Sequence, residues 1–189
     1  MRKVKLQMQV SLDGFVAGPN GEMDWLVWNW DDELKKYVTE LTEPVDCLLL
    51  GRVLAEGFIP TWASRAENPE TADVSARRMS ELPKVVFSKT LTNTDWKNTT
   101  LANGDLREDV NALKQRSGGD LMFYGGAGLA SYFIQHNLID EYHLFMNPVA
   151  LGNGMAIFKN PENRLTLNLV KCQSFSCGIV LLVYEPKRD

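Results

Sequence analysis

The chain has 189 residues, enough for one domain with a sizeable core and too few for two full ones. Apolar residues make up 44% and charged residues 23%, with a formal net charge of −4, values of an ordinary soluble globular protein. That balance argues against a nucleic-acid binder, no apolar stretch reaches membrane-spanning length, and the N-terminal Met1-Arg2-Lys3-Val4-Lys5 lacks the apolar core of a signal peptide.

Residues 3 to 12 alternate, with Val4, Leu6, Met8, Val10 and Leu12 on one face and Lys3, Lys5, Gln7, Gln9 and Ser11 on the other. This is the period of a β-strand. The segment Asp13-Gly14-Phe15-Val16-Ala17-Gly18-Pro19-Asn20-Gly21 then reads as a long turn-rich loop. From Asp31 an apolar stripe of Leu34, Tyr37, Val38 and Leu41 predicts a helix capped by Asp31 or Asp32 and ended before Pro44. Val45 to Leu50 is a short apolar run of the kind buried on both faces of a parallel sheet, and Gly51-Arg52 follows it into a short helix. Asn68-Pro69-Glu70 reads as cap, first-turn proline and first-turn acid of a helix reaching about Leu82.

Beyond Pro83, Lys84 to Ser88 is the next strand, and Asp105 caps a helix carrying Leu106, Val110 and Leu113. Gly118-Gly119 ends that helix before the strand Leu121 to Tyr124, and a glycine turn opens another helix reaching about Asn137. Tyr142 to Asn147 reads as a strand, and Leu165 to Cys172 with Ile179 to Tyr184 as a closing hairpin. Strands alternating with helices predict a single α/β domain over 1–189, with a mostly parallel central sheet, helices on both faces and an antiparallel C-terminal hairpin. Cys47, Cys172 and Cys177 fit no disulfide framework or metal motif, so reduced thiols and a cytoplasmic location are expected. Cys172 and Cys177 could also face each other across the hairpin.

Ligands of open α/β sheets settle beyond the carboxyl ends of the strands, where helix N-termini offer free N–H groups. Three strand ends here suit an anion. Gly125, Gly126, Ala127, Gly128 and Leu129 form a glycine turn into a helix; Gly51 and Arg52 add a glycine and a fixed cation; Ser88 and Lys89 add a hydroxyl and an ammonium. Each has an ordinary structural use as well: a tight turn, a solvated ion pair, a loop.

The ordered set Ser11-Leu12-Asp13-Gly14-Phe15-Val16-Ala17, Asp24-Trp25-Leu26, Leu49-Leu50-Gly51-Arg52, Val85-Val86-Phe87-Ser88-Lys89-Thr90, Tyr124-Gly125-Gly126-Ala127-Gly128 and Pro148-Val149-Ala150-Leu151-Gly152-Asn153-Gly154 resembles the dihydrofolate reductase-like fold. Within it, the likeness is to the reductase domain of riboflavin biosynthesis, the RibD C-terminal domain. The resemblance implies a three-layer fold and an NADPH-dependent reductase of a small heterocycle, most like 5-amino-6-(5-phosphoribosylamino)uracil reductase. A dihydrofolate or pteridine reductase and a nucleotide-binding protein without turnover are the alternatives. It further implies that Gly51, Arg52 and Gly125 to Leu129 hold the pyrophosphate, Ser88 and Lys89 the 2′-phosphate, and that Val16 and Ala17 border the nicotinamide. Gln9, Ser11 and Trp25 would then form the substrate wall, a homodimer is expected by the same likeness, and the Gly125-Gly126 peptide is left open between trans and the cis form of dihydrofolate reductases.

Two departures stand out. Leu54 occupies the place where the typical reductase has threonine, and five residues past Trp25 lies Trp30 where dihydrofolate reductases carry an acid. Asp13 and Asp31 remain as candidate catalytic carboxylates, each with a structural alternative as turn or helix cap. Neither H-x-E nor P-C-x-x-C occurs, which excludes zinc deamination, and no metal ligation is expected.

Overall fold

The computed structural model describes residues 1–159 and 164–187. An eight-stranded sheet runs through it in the order β5-β4-β3-β6-β1-β7-β10-β9. The first six of these are parallel: β5 (Thr99–Ala102), β4 (Lys84–Phe87), β3 (Val45–Gly51), β6 (Asp120–Gly125), β1 (Val4–Ser11) and β7 (Glu141–Asn147). The antiparallel pair β10 (Val180–Pro186) and β9 (Leu167–Ser174) closes one side, the hairpin expected from the sequence.

Helices cover both faces. On one side α4 (Leu106–Gln115) and α5 (Ala127–Gln135) bring Val110, Leu113, Ala130, Phe133 and Ile134 against Val4, Leu6, Met8 and Val10 of β1. On the other, α1 (Asp32–Thr42), α2 (Arg52–Glu67) and α3 (Val74–Glu81) pack Leu34, Leu41, Ile59 and Met79 against Leu48, Leu50, Met122 and Phe145. β1 is therefore an interior strand whose polar face is also covered: Gln7 and Ser11 are buried. Leu12 falls outside the strand and is 64% exposed, because the chain turns at Ser11 and carries it away from the apolar face.

Several boundaries differ from those the sequence suggests. The helix after Gly51 is not short but sixteen residues long, continuing through Pro60 to Glu67. Asn68 ends it instead of starting the next one: its N–H donates to the Ser64 carbonyl and its side chain accepts from the Glu70 amide, a local turn. The following helix begins at Val74, where Asp73 accepts from the Ala76 amide at 2.6 Å. The four-residue strand β5, and the small antiparallel pair of β2 (Phe15–Ala17) with β8 (Met155–Ala156), carry no alternation long enough to be read beforehand.

Candidate functional site

The carboxyl edge of the six parallel strands gathers most of the expected site residues. At its centre the N-termini of α2 and α5 meet. Their N-caps, Gly51 and Gly126, supply no side-chain cap, which leaves the first-turn N–H groups of both helices free of one. A Cβ on Gly51 would lie 3.2 Å from the Gly125 carbonyl oxygen and 3.4 Å from Leu129 Cδ2, so the two helix starts are in close contact. Gly125 has φ +92° and turns the chain into α5. The Gly125-Gly126 peptide, left open between cis and trans by the sequence, is trans, as are all those described: positive φ at Gly125 makes the turn. Cβ atoms placed on Gly126 or Gly128 would meet nothing within 4 Å, so open space lies in front of α5.

That space continues into a groove of about 230 Å³ lined by Ser88, Lys89, Gly104, Gly128, Leu129 and Tyr132, among others. The third anion-suited strand end thus adjoins the glycine turn. The Ser88 hydroxyl accepts from the Thr90 and Leu91 amides at 3.1 and 2.9 Å, which fixes the loop. Lys89 Nζ donates to the carbonyls of Gly104 at 2.5 Å and Asn103 at 3.4 Å. Arg52, the first residue of α2, pairs with Glu56 one turn on, at 2.6 Å. A larger cavity of about 400 Å³, lined by Val74, Arg77, Arg78, Glu81, Leu82 and Pro83, lies at the amino edge of β4, away from all these residues.

Beyond the ends of β1 and β7 lies a second region. Ser11 is fully buried; its hydroxyl donates to Asp13 at 2.6 Å and accepts from the Phe15 amide. Asp13 also accepts from the amides of Leu151 and Gly152 at 3.1 and 2.6 Å, tying the 151–154 turn to the end of β1. The Ser11 hydrogen bond, followed by the two amides, holds the Asp13 carboxyl down at about 2. Val16 and Ala17 are buried, and Gly154 lets the turn close on them: a Cβ there would lie 2.4 Å from the Ala17 carbonyl oxygen. Trp25 is partly exposed and donates to the Glu22 carbonyl, while Trp28 is 71% exposed.

Asp31 caps α1 through the Leu34 amide at 2.8 Å, and its other oxygen accepts from the Ser176 hydroxyl and the Cys177 amide. These bonds, the Leu34 amide first, lower its carboxyl below the usual range. Both carboxylates expected to be catalytic candidates are thus engaged by backbone and hydroxyl donors. The sequence reading did not single out Asn147. Fully buried at the end of β7, it joins Gln9 of β1 to Val27 of the tryptophan loop, 120 residues away in the chain.

Residues 2–181 match the family model described as the RibD C-terminal domain. The chain belongs to the RibD C-terminal domain family. A Bacillus subtilis (strain 168) protein of similar length, Uncharacterized protein YyaP, is 35% identical over 187 residues, covering 97% of this chain and 95% of its own. A Thermotoga maritima diaminohydroxyphosphoribosylaminopyrimidine deaminase/5-amino-6-(5-phosphoribosylamino)uracil reductase superposes with a TM-score of 0.70 at 18% identity, over 98% of this chain and 57% of that one. Dihydrofolate reductase from Enterococcus faecalis, solved with NADP(H), superposes with a TM-score of 0.63 at 14% identity, over 98% and 97%. At such identities the two structures show the fold, which is dihydrofolate reductase-like, as the sequence motifs imply. Among the described residues, no helix of this RibD C-terminal domain is long and apolar enough to cross a membrane.

Proposed function

We propose that this chain is an NADPH-dependent reductase of a small heterocycle, nearest in kind to 5-amino-6-(5-phosphoribosylamino)uracil reductase. The observation that carries this reading is the meeting of two uncapped helix N-termini at Gly51 and Gly126, opening directly into the groove at Ser88 and Lys89. The fit to a dinucleotide is concrete. Bare glycines at 126 and 128 leave space for a pyrophosphate against helix amides, and Lys89 spends two of its three donors on neutral carbonyls.

In this reading Gly51, Arg52 and Gly125 to Leu129 hold the pyrophosphate, Ser88 and Lys89 the 2′-phosphate, and Val16 and Ala17 border the nicotinamide. NADPH supplies the hydride when bound. The chain's part is to orient two rings and exclude water: Gln9, Ser11 and Trp25 form the substrate wall, and Asp13 locks the 151–154 turn beneath it. Asp13, held by the Ser11 hydroxyl and the Leu151 and Gly152 amides, serves as a brace. The same proposal places the protein in the cytoplasm, consistent with three free cysteines, and as a homodimer, for which the exposed edge strand β9 with Leu169 and Val170 is available.

NADPH is expected to raise the melting temperature more than NADH does, and Lys89→Ala to remove the difference. Equal shifts in the wild-type protein would sink the 2′-phosphate assignment. The engagement of both Asp13 and Asp31 favours a second reading, nucleotide binding without turnover. Loss of NADPH absorbance with any member of a pterin and aminopyrimidine panel decides for the reductase; binding with no oxidation across the panel decides for the second reading.

A further inference from the structure

The orientation of one side-chain amide at the substrate wall follows from its neighbours. Asn147 is fully buried and has three partners: its Oδ1 accepts from the Val27 amide at 3.0 Å, and its Nδ2 donates to the Phe145 carbonyl at 3.1 Å and to Gln9 Oε1 at 2.7 Å. An amide's oxygen and nitrogen ends are often interchangeable, but two of these partners have a single role each. A backbone N–H can only donate and a backbone carbonyl can only accept. Val27 and Phe145 therefore fix which end of Asn147 is which, and the nitrogen end faces Gln9.

Gln9 must then turn its carbonyl oxygen to Asn147, since the opposite orientation would set two NH₂ groups against each other. Its own NH₂ is left over: among the described residues the Gln9 side chain makes the one hydrogen bond to Asn147, through its oxygen. Gln9 is partly exposed and lies on β1 two residues before Ser11, on the same face of the strand and beside the loop that bears Trp25, Trp28 and Trp30. No ring or charge contact claims it among the described residues.

We infer that Asn147 holds the Gln9 oxygen and leaves its NH₂ as the group turned to a ligand, so that the site favours a ligand edge carrying an acceptor, a ring carbonyl or unprotonated ring nitrogen, over one carrying an amino group. That Gln9 meets the substrate rests on the reductase reading above. That Asn147 sets its polarity does not. Asn147 is in this sense a positioning residue, acting through Gln9, and Gln9 is the specificity contact.

Two measurements test the inference separately. In the protein without added ligand, side-chain amide exchange followed by ¹⁵N NMR should show the Asn147 NH₂ protected and the Gln9 NH₂ exchanging freely. Asn147→Asp keeps an acceptor for Val27 but removes the donor, so Gln9 should reverse and its NH₂ become protected, with backbone resonances confirming the fold. A protected Gln9 NH₂ beside a freely exchanging Asn147 in the wild-type protein overturns the inference.

The second measurement titrates uracil, a pyrimidine with two ring carbonyls, into the NADPH-saturated protein. Gln9→Met, which deletes the donor, should weaken binding about tenfold, and Gln9→Glu, which keeps the acceptor for Asn147 but turns an anionic oxygen to the ligand, by about a further tenfold. Binding by Gln9→Glu that equals or exceeds the wild type overturns the selection of acceptors. If uracil binds none of the proteins, the exchange result still decides the polarity of Gln9, and the failure falls on the reductase reading.

Discussion

At the end of β1 the Asp13 carboxylate collects the Ser11 hydroxyl and the Leu151 and Gly152 amides, which stabilise its ionised form. With the carboxyl lowered to about 2 in the fold, this contribution is fully present above the ordinary carboxylate range of about 4 and is lost as pH falls towards 2. Asp13→Asn should therefore melt lower than the wild type at neutral pH, and the gap should narrow on acidification, read as melting temperature against pH. The wild-type acid limb would not vanish, because Glu141, held near 2 chiefly by its hydrogen bond from His143, titrates in the same window. Two glycines either side of the start of α5 should behave oppositely. Gly125→Ala imposes a side chain at φ +92° with Met8 Cε 2.8 Å away, for an expected loss of about 1–2 kcal/mol in denaturant unfolding. Gly128→Ala meets nothing within 4 Å inside a helix that favours alanine, so stability should hold or rise by up to about 1 kcal/mol while the NADPH-induced shift shrinks.

At the scale of elements, Asp31 is a joint between α1 and the turn leading into β10. One oxygen caps the helix at Leu34 and the other holds Ser176 and Cys177. Asp31→Ala should lower the melting temperature more than loss of an ordinary cap does, because it frees the Leu34 amide and the Ser176–Cys177 turn together, yet leave the NADPH-induced shift intact; a normal melting temperature with lost NADPH oxidation would instead return Asp31 to catalysis. The three strand ends at Gly51, Ser88 and Gly125 were legible in the sequence because each is a local signal: apolar run, then glycine or hydroxyl, then helix. Other elements were hidden for definite reasons. On α2 only Ala55 and Ile59 are buried, so its sixteen residues show no wide apolar stripe, and Pro60 argues against a helix continuing there. Asn68-Pro69 carries the composition of a helix start, but the same asparagine geometry serves a turn, and only the neighbouring Asp73 distinguishes them. The region beyond the ends of β1 and β7 was the least legible part, since Val27, Gln9 and Asn147 meet only through tertiary folding and no spacing along the chain announces it.

Across the whole molecule, the carboxyl edge of the sheet carries the open glycine turns, while at the amino edge several buried charges are held by backbone carbonyls or by one another. Lys84 donates to the Ser80 and Leu82 carbonyls, Arg78 to those of Thr42, Glu43 and Val45, and Lys114 pairs with Asp140 at 2.6 Å with both side chains about nine-tenths buried. Asp140 also accepts from the Val4 amide, so this pair fixes where β1 enters the sheet. Removing one member of such a pair leaves a desolvated charge, at a typical cost of about 3–5 kcal/mol. Lys114→Met should fall near the lower end, since Asp140 keeps the Val4 amide. Adding Asp140→Asn, which removes the charge but preserves an acceptor for Val4, should recover most of the loss in denaturant unfolding. Because the pair sits at the opposite edge from Gly51 and Gly125, both variants should keep the full NADPH-induced rise in melting temperature. A variant that lost the rise in proportion to its stability would mean that the two edges are energetically coupled through β1, and that the closed edge tunes the open one.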